Sequence, residues 1–292
     1  MSAPRRGIAL MVLTTLIFAV QDGISRHLAE NYNTITVVLL RYVFFALFVI
    51  ALSTRHAGGV REAAQSEQPL LQIFRGVLLA AEILVTVYAF TLLGLIETHA
   101  IFACYPLLVA ALSGPVLGER VGWRRWAAIG VGFIGMLIIL QPGVKVFAPE
   151  ALIALVASAM FALYALLTRF AARKDSAATS FFYTGVSGAV ALSLVGPFFW
   201  APMQGAADWA WMGLLCITGA AGHYTLIKAY DVAEASVLQP FAYFQLVFAS
   251  LLAMTFLAER LEWATALGAS LIVAAGLYTA WREQRQTQKS AR

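Results

Sequence analysis

The chain has 292 residues, of which 61% are hydrophobic and only 12% are charged. A soluble domain of average composition is about a quarter charged, so this composition excludes a water-soluble globular unit and predicts a membrane protein. The net charge of +5 does not indicate a nucleic-acid binder, because the basic residues lie between apolar runs, where membrane proteins carry them.

The apolar runs predict ten transmembrane helices, each close to the roughly 20 residues that a bilayer requires. In chain order they cover residues 7–27, 34–53, 70–92, 98–117, 123–140, 149–170, 178–200, 209–230, 235–257 and 263–281. A polar loop at 54–69 separates the second helix from the third, and the polar tail at 282–292 is predicted to be disordered. The predicted fold class is an all-α polytopic membrane protein.

An even number of helices places both termini on the same side of the membrane. If that side is cytoplasmic, sixteen of the 20 Lys and Arg residues lie on it. The four others are Arg26, Arg41, Lys145 and Arg260. This excess of basic residues predicts cytoplasmic N- and C-termini.

The chain also contains an internal repeat. The sequence Glu119-Arg120-x-x-Trp123 recurs 140 residues later as Glu259-Arg260-x-x-Trp263, at the ends of the fourth and ninth helices. Further pairs recur at an offset of 143, Phe18 with Phe161 and Arg26 with Arg169. A nearly fixed offset indicates a duplicated unit. Because each unit holds five helices, the second is inverted, and residues 1–145 and 146–292 are predicted to be inverted-topology repeats that permit alternating access.

These features resemble one family of transporters. Two halves of five helices, with a fourth helix that ends in Gly/Ala-Glu-Arg and a Trp three residues later, resemble the drug/metabolite transporter superfamily, EamA type. Pro106 fits the fourth-helix pattern of that family, whereas Pro240 in the second half lies further from Glu259. The resemblance implies a bacterial inner-membrane exporter of small metabolites, most similar to exporters of aromatic and other neutral amino acids.

Polar side chains inside the spans are costly, so they usually face a cavity or a partner helix. The repeat selects His99, whose counterpart at an offset of 140 is Gln239. His99 shares a helix face with Phe102 and Pro106, and Gln239 shares one with Tyr243. We expect the two faces to form opposite walls of one central pathway, the alternative being that both groups only join helices. The deep polar residues as a whole are Gln21, Asp22, Arg41, Glu82, His99, His223, Gln239 and Gln245.

The first and sixth helices supply a second matched set. Gln21 pairs with Tyr164, and Phe18 pairs with Phe161, again at an offset of 143. Aromatic rings near mid-membrane could hold an apolar or aromatic part of a substrate. The alternative is that they contact lipid or a neighbouring helix.

Three further candidates lie on the third and eighth helices. Glu82, with Thr86 one turn later, could carry a proton, hold a substrate amine or pair with a buried cation. His223 follows a run of small residues where helices pack closely, so it could titrate near neutral pH or simply pack. All three are counted as candidate pathway residues.

Other charged residues are expected to have structural roles. Arg41 is predicted to extend toward the membrane surface or to pair with Asp22 or Glu97. The two Glu-Arg pairs, 119–120 and 259–260, are predicted to end their helices and fix their depth in the membrane. No cluster of basic residues lies in mid-membrane, which favours a neutral or zwitterionic cargo over a phosphorylated one.

The sequence therefore predicts a secondary transporter rather than an enzyme. It contains no nucleotide-binding fingerprint that would indicate ATP-driven transport. Cys104 and Cys216 lack metal-ligand or redox spacing, and no cofactor or metal is expected. The predicted cargo is a small metabolite, in particular an amino acid, and the predicted partners are the lipid bilayer and that cargo. A proton, which Glu82 could carry, is a further candidate, but the sequence does not show whether a proton gradient drives transport.

Two alternatives remain open. An intramembrane hydrolase is suggested by Gly185-Val-Ser187-Gly188, which has the G-x-S-G form of rhomboid proteases, with His223 as a conceivable base. A channel-like facilitator would share the apolar composition but would not show exchange between the two faces of the membrane.

Overall fold

The computed structural model of the chain describes residues 3–55, 59–118, 123–140, 149–233, 238 and 241–290. All regular elements in these ranges are helical, as the composition predicts. In chain order they are α1 (Ala3–Asn31), α2 (Thr34–Ser53), α3 (Gly59–Ala63), α4 (Pro69–Leu93), α5 (Leu95–Phe102), α6 (Tyr105–Leu117), α7 (Trp123–Leu140), α8 (Pro149–Ala171), α9 (Ala177–Val195), a 3₁₀ turn (Gly196–Phe199), α10 (Ala206–Val232), α11 (Phe244–Phe256) and α12 (Trp263–Ser290).

The lengths of these helices are those of a multi-pass membrane protein. Within the described ranges, α1, α2, α4, α8, α9 and α10 are long and apolar enough to cross a membrane. The stretch that holds α5 and α6 passes the same test as one span, with a bend of 45° between Leu95–Val109 and Ala111–Leu117. Shorter apolar helices lie at Trp126–Ile139, Phe244–Phe256 and Trp263–Tyr278.

Most helix bounds agree with the sequence prediction. The bounds of α2 and α7 are those predicted. The N-termini of α2 and α9 carry side-chain caps, because Asn33 Oδ1 accepts the Thr36 N–H at 2.8 Å and Ser176 Oγ accepts the Thr179 N–H at 3.0 Å. At the other end of the chain the prediction is wrong: the tail expected to be disordered continues α12 as a helix as far as Ser290.

The predicted fourth helix is broken in two. Gly94, at φ +84°, separates α4 from α5, and the backbone turns again between Phe102 and Tyr105. Pro106 lies in the first turn of α6, where its missing N–H costs nothing to α6 but removes a donor for the end of α5. The Phe102 carbonyl instead lies 3.4 Å from Ser158 Oγ on α8. The proline therefore positions α5 as a separate short helix.

Packing between helices far apart in the chain builds the bundle. α1 packs most extensively against α10, α4 against α8 and α9, α2 against α9, and α7 against α12. The contact of α7 with α12 is a backbone approach between two glycines: a Cβ at Gly135 would lie 2.6 Å from the Gly268 carbonyl oxygen. Small residues at such crossings allow the close helix contact typical of membrane bundles.

Candidate functional site

A polar cavity lies where seven helices meet. Its charged members Asp22, Arg41 and Glu82 are only 7%, 2% and 3% exposed. Its volume is about 30 Å³, which holds about two water molecules. A metabolite can enter only if the surrounding helices separate. The lining residues are Phe18, Gln21 and Asp22 of α1, Arg41 of α2, Glu82, Ile83, Thr86 and Val87 of α4, His99 and Phe102 of α5, Phe161 of α8, His223 of α10 and Gln245 of α11.

Asp22 is the acceptor shared by three helices in this cavity. Its Oδ1 accepts from Gln21 Nε2 at 3.3 Å, and its Oδ2 accepts from Gln245 Nε2 at 3.1 Å. His99 Nε2 lies 3.2 Å from the same Oδ2. The carboxylate therefore connects α1, α5 and α11 through contacts that are long for a charged acceptor, since hydrogen bonds of an ionised pair measure about 2.7–2.9 Å.

Arg41 faces the cavity from α2. Its Nη2 lies 3.2 Å from His223 Nε2, so the guanidinium donates and the imidazole nitrogen accepts. Gly219 makes room for it, because a Cβ at that position would lie 2.7 Å from Arg41 Nε. Gly222 does the same for Phe18, whose ring would lie 2.6 Å from an added Cβ. The small-residue run of α10 thus admits side chains from α1 and α2.

Glu82 and a set of aromatic rings complete the walls. Glu82 Oε1 accepts from Thr86 Oγ1 at 2.5 Å within α4. The rings of Phe102 and Phe161 lie 5.4 Å apart, and the Phe18 ring lies 5.1 Å from that of His223. The cavity therefore places aromatic faces beside charged groups.

Several buried polar atoms of the cavity have no hydrogen-bond partner among the described residues. They are Gln21 Oε1, Arg41 Nε, His99 Nε2 and His223 Nδ1. Buried polar groups are normally satisfied, and each exception calls for an explanation such as a ligand or water. The unsatisfied atoms belong to residues that are 5%, 2%, 3% and 2% exposed, so bulk solvent does not satisfy them in this conformation.

The structure brings together most of the side chains that the sequence predicted. The pathway candidates found in the cavity are Phe18, Gln21, Glu82, Thr86, His99, Phe102, Phe161 and His223. Their common location agrees with the prediction of one central site, whereas their role in transport remains a prediction. Gln239 lies outside the described residues.

Tyr164 is placed elsewhere, in a second polar network. Its hydroxyl oxygen accepts from Arg75 Nη1 at 3.2 Å, and Thr168 Oγ1 accepts from the same nitrogen at 3.2 Å. The other Arg75 nitrogens donate to Gln72 Oε1 at 2.8 and 3.1 Å and to the Ser180 carbonyl oxygen at 2.5 Å. Tyr164 therefore lies outside the cavity lining in this conformation, because its hydroxyl binds this arginine, and its place on the pathway stays a prediction.

The same network extends to the turn between α8 and α9. Gln72 Nε2 donates to Asp175 Oδ2 at 2.9 Å, and Ser66 Oγ donates to the same oxygen at 2.6 Å. Burial raises the pKa of Asp175, but the hydrogen bonds from Ser66, Gln72 and the Glu67 N–H together lower it more. The carboxyl group therefore has a pKa below its usual value.

Pro106 and Tyr243 also lie away from the cavity lining. Pro106 shapes the break between α5 and α6 instead. The Tyr243 ring packs against α12, where a Cβ at Gly276 would lie 2.0 Å from it. Their assignment to the pathway wall is not supported by this conformation, because α6 begins after the break and Tyr243 points into apolar packing with residues such as Ile272.

Asp22, Arg41 and Gln245 were not selected from the sequence, yet they line the cavity. The prediction that Arg41 extends toward the membrane surface is wrong, since it is only 2% exposed. The available signal was the cost of an ionisable group within a span. The choice by repeat symmetry passed over these three residues.

The C-terminal end of α1 and the N-terminal end of α5 meet a residue that follows α11. Glu259 accepts the backbone N–H groups of Leu95 and Ile96 at 2.8 and 2.9 Å, and it forms an ion pair with Arg26. A carboxylate at a helix N-terminus is stabilised by the unpaired N–H groups and the helix dipole. Glu259 thus caps α5, whereas Glu119 and Arg120 lie outside the described residues.

Ser187 and His223 do not form a catalytic pair. A Cβ at Gly76 of α4 would lie 2.9 Å from Ser187 Cβ, so Ser187 packs at the contact of α4 with α9. His223 instead pairs with Arg41. No hydrogen bond between Ser187 and His223 occurs in the described part of the chain. No cluster of His, Cys, Asp and Glu suited to a metal ion is found among the residues described either.

A larger groove lies between α2, α4 and α8. Its volume is about 870 Å³, and it is lined by side chains such as Leu84, Tyr88 and Val156. None of its lining residues among those described is charged. Its polar groups are the uncharged side chains of Asn33, Thr34, Tyr88 and Thr91, and the rest of its lining is apolar. The smaller central cavity, which holds charged groups, is therefore the better candidate site for a polar solute.

Comparison with known proteins identifies the family. A profile of the EamA-like transporter family matches residues 5–141 and again residues 148–281. A solved protein crystal structure superposes with a TM-score of 0.70 and 18% sequence identity over 95% of this chain and 97% of that chain. At that identity the likeness shows a shared fold.

Named relatives span nearly the whole chain. It is 24% identical over 282 residues to an S-adenosylmethionine uptake transporter of Rickettsia prowazekii (strain Madrid E), covering 96% of this chain and 94% of the relative. It is 28% identical over 304 residues to a riboflavin transporter of Vibrio cholerae serotype O1, covering 99% of this chain and 96% of the relative.

Proposed function

This chain belongs to the EamA-like transporter family, and we propose that it is a secondary transporter that carries a small metabolite through the central cavity by alternating access. The observation that carries the proposal is a cavity with buried charged groups and unsatisfied polar atoms inside a multi-pass bundle of apolar helices. Ionisable groups at such depth typically mark a substrate or ion pathway. The family and its transporter relatives indicate a transporter rather than an enzyme.

We further propose ten spans, arranged as two inverted five-helix halves at residues 1–145 and 146–292. The six long helices, the bent α5–α6 pair and the three shorter apolar helices support ten segments. The family profile matches each half separately, which supports the division. The packing of α1 on α10 is the counterpart of α8 on α4 when the halves are exchanged. The caps Asn33 and Ser176 lie 143 residues apart, the same offset as Phe18 and Phe161.

The proposed location is the bacterial inner membrane, with both termini in the cytoplasm. The excess of basic residues on that side supports this orientation. Arg26 and Glu259 then lie at the outer ends of their helices, and Arg75 and Asp175 lie near the inner ends.

The relatives change the expected cargo. The two named here are transporters of S-adenosylmethionine and riboflavin, and nothing in the comparison supports amino-acid export. We therefore propose S-adenosylmethionine and riboflavin as the first two candidate substrates. Both contain an aromatic ring system, which the rings of Phe18, Phe102 and Phe161 could contact. The direction of transport, uptake or export, is tested by placing the substrate first outside and then inside the proteoliposomes.

Energy coupling is proposed to be independent of nucleotide hydrolysis, because the sequence lacks a nucleotide-binding fingerprint. Glu82 is the proposed proton carrier, since its carboxyl group is buried in the cavity wall with Thr86 as a hydrogen-bond donor. An imposed pH gradient should change the transport rate of the wild-type protein and not that of Glu82→Gln.

The experiment that tests this function is counterflow in proteoliposomes. The purified full chain is reconstituted with unlabelled S-adenosylmethionine or riboflavin inside, and uptake of the same labelled compound is followed. A carrier accumulates label transiently, whereas a channel only equilibrates it. We expect counterflow with one of the two compounds and full activity in Ser187→Ala. Absence of counterflow with both compounds, and with aromatic amino acids, would overturn the proposal.

A further inference from the structure

We propose that Asp22 and Arg41 form a binding site for an α-amino acid head group, with the ammonium on Asp22 and the carboxylate on Arg41. The inference rests on the proposed transport through the central cavity, and it names the part of the substrate that the cavity recognises. It applies to metabolites that carry such a head group on a larger aromatic or cationic body.

Asp22 makes only long contacts with its neighbours among the described residues. Two amide nitrogens donate to it at 3.1 and 3.3 Å, and His99 Nε2 lies 3.2 Å away without forming a hydrogen bond. A substrate ammonium brings three N–H donors and a full positive charge, and it forms shorter and stronger bonds with a carboxylate than neutral amides do. Gln21, Gln245 and His99 therefore act as exchangeable partners that keep Asp22 solvated until substrate arrives.

Arg41 has more hydrogen-bond donors than it has acceptors among the described residues. A guanidinium carries five N–H donors, yet the hydrogen bond described for Arg41 is the one to His223, and its Nε has no partner among the described residues. Asp22 and Glu82 offset its charge through space, but a buried N–H donor without an acceptor is costly. A carboxylate fits the guanidinium with two parallel hydrogen bonds, so the α-carboxylate of a substrate would satisfy Arg41.

The charges around the cavity also match a zwitterionic head group. Asp22 and Glu82 can each carry one negative charge, and Arg41 carries one positive charge. A zwitterionic head group pairs its ammonium with Asp22 and its carboxylate with Arg41, and it brings no group to pair with Glu82. Glu82 then either holds a proton or balances one more positive charge on the substrate body, such as a sulfonium. A neutral flavin brings no charge of its own to pair with Asp22 or Arg41, which makes it the poorer match for this cavity.

The positions of the aromatic rings agree with this polarity. Phe102 and Phe161 form one wall with their ring centres 5.4 Å apart, and the His99 ring lies 6.2 Å from that of Phe102. The end of α5 thus joins the proposed ammonium site at His99 to an aromatic surface at Phe102. A heteroaromatic body attached to the head group can pack there.

Three probes separate the head group from the rest of the ligand. S-adenosylmethionine carries the head group and the sulfonium, S-adenosylhomocysteine keeps the head group without the sulfonium, and 5′-methylthioadenosine lacks the head group. In wild-type proteoliposomes we expect the first two to compete for S-adenosylmethionine counterflow at least tenfold better than methylthioadenosine.

Two variants and two matched controls complete the test. Asp22→Asn and Arg41→Gln should each weaken competition by S-adenosylmethionine at least tenfold and leave that by methylthioadenosine within about twofold. Asp231→Asn and Arg55→Gln make the same chemical changes at exposed positions and should behave as wild type. Retained methylthioadenosine binding by Asp22→Asn shows that the variant is folded.

The outcomes distinguish the two proposals. No counterflow by the wild type with any candidate overturns the transport function itself. Counterflow with riboflavin alone, or equal competition by S-adenosylmethionine in wild type and Asp22→Asn, overturns the head-group site and leaves the transport function intact. Equal loss of all three probes in both variants also overturns it, because a general structural role would then account for Asp22 and Arg41.

Discussion

Arg41 and Arg75 are both buried in apolar helices, but they have different surroundings. Arg75 is 0% exposed and donates to Gln72, Tyr164, Thr168 and the Ser180 carbonyl oxygen. Arg41 is 2% exposed and has one described hydrogen bond, to a histidine nitrogen. Two identical side chains at similar burial thus differ in their hydrogen bonding: the donors of Arg75 have acceptors, whereas Arg41 has donors without one among the described residues.

This difference in hydrogen bonding separates buried polar groups that stabilise the fold from those that could bind a ligand. A buried arginine whose donors are met by α4, α8 and α9 fastens those helices and leaves nothing for a ligand. A buried arginine with free donors beside a cavity is costly in the absence of a ligand and gains from binding one. The Arg75 network is therefore assigned to stability, and the Asp22–Arg41 cavity is proposed for transport.

The largest effect on stability is expected from Arg75→Leu. Removing it leaves Gln72 Oε1 and the Ser180 carbonyl oxygen without this donor, and each buried acceptor left unpaired costs about 1–3 kcal/mol. The thermal unfolding midpoint in detergent should fall far more than in the exposed control Arg55→Leu. An unchanged midpoint in Arg75→Leu would show that the network is not structural.

A smaller effect is expected where the cavity is crowded without loss of any polar group. Gly219→Ala places a Cβ 2.7 Å from Arg41 Nε, so the guanidinium must move and packing is strained by about 1–3 kcal/mol. Transport should fall with it. On the same helix, an added Cβ at Gly213 meets nothing within 4 Å, so Gly213→Ala is the matched control. Equal behaviour of the two variants would contradict the tight contact at Gly219.

The cap of α5 offers a third test. Glu259→Gln removes the charge that faces the Leu95 and Ile96 N–H groups and pairs with Arg26, at a cost of about 1–2 kcal/mol. Glu30 pairs with the same arginine at a more exposed position, so Glu30→Gln should cost only a few tenths of a kcal/mol. Unfolding midpoints of the two variants compare the cap with the surface pair, and a reversed order would refute the capping role.

The smallest effect is a dependence on pH. Because the pKa of Asp175 is lowered in the folded state, its contribution to stability is present above the unfolded pKa and is lost as the pH falls through the folded pKa. Acidification should therefore lower the unfolding midpoint of the wild type more than that of Asp175→Asn. An identical acid response of the two proteins would remove Asp175 from the account.

Much of the fold could be predicted from hydrophobic runs alone. The bounds of α2 and α7 were predicted to the residue, because clear signals end the apolar runs, such as the capping residue Asn33 before α2 and the helix-stop sequence Gln141-Pro142-Gly143 after α7. The break after Phe102 was not, since Pro106 is compatible both with a continuous bent span and with a new helix. Only the contact of Ser158 with the Phe102 carbonyl oxygen distinguishes the two.

The site was predicted in part, for a physical reason. Repeat symmetry selects positions that are polar in both halves, and it passed over Asp22, whose counterpart is Ala165, and Gln245, whose counterpart is Tyr105. A substrate with different groups at its two ends has no such symmetry, so its partners need not be duplicated. Tyr164 was chosen by symmetry and is instead bound by Arg75, which the sequence could not place.

The most direct test of the central claim is ligand-dependent thermal stabilisation of Arg41→Met. Replacing an unsatisfied buried cation by an apolar side chain of similar length should leave the unfolding midpoint without ligand at or above that of the wild type. Ligand at about 100 times its Kd stabilises a binding protein by about 2.7 kcal/mol. We predict that S-adenosylmethionine raises the midpoint of the wild type and not that of Arg41→Met. An equal rise in both proteins, or no rise in the wild type, would contradict the account.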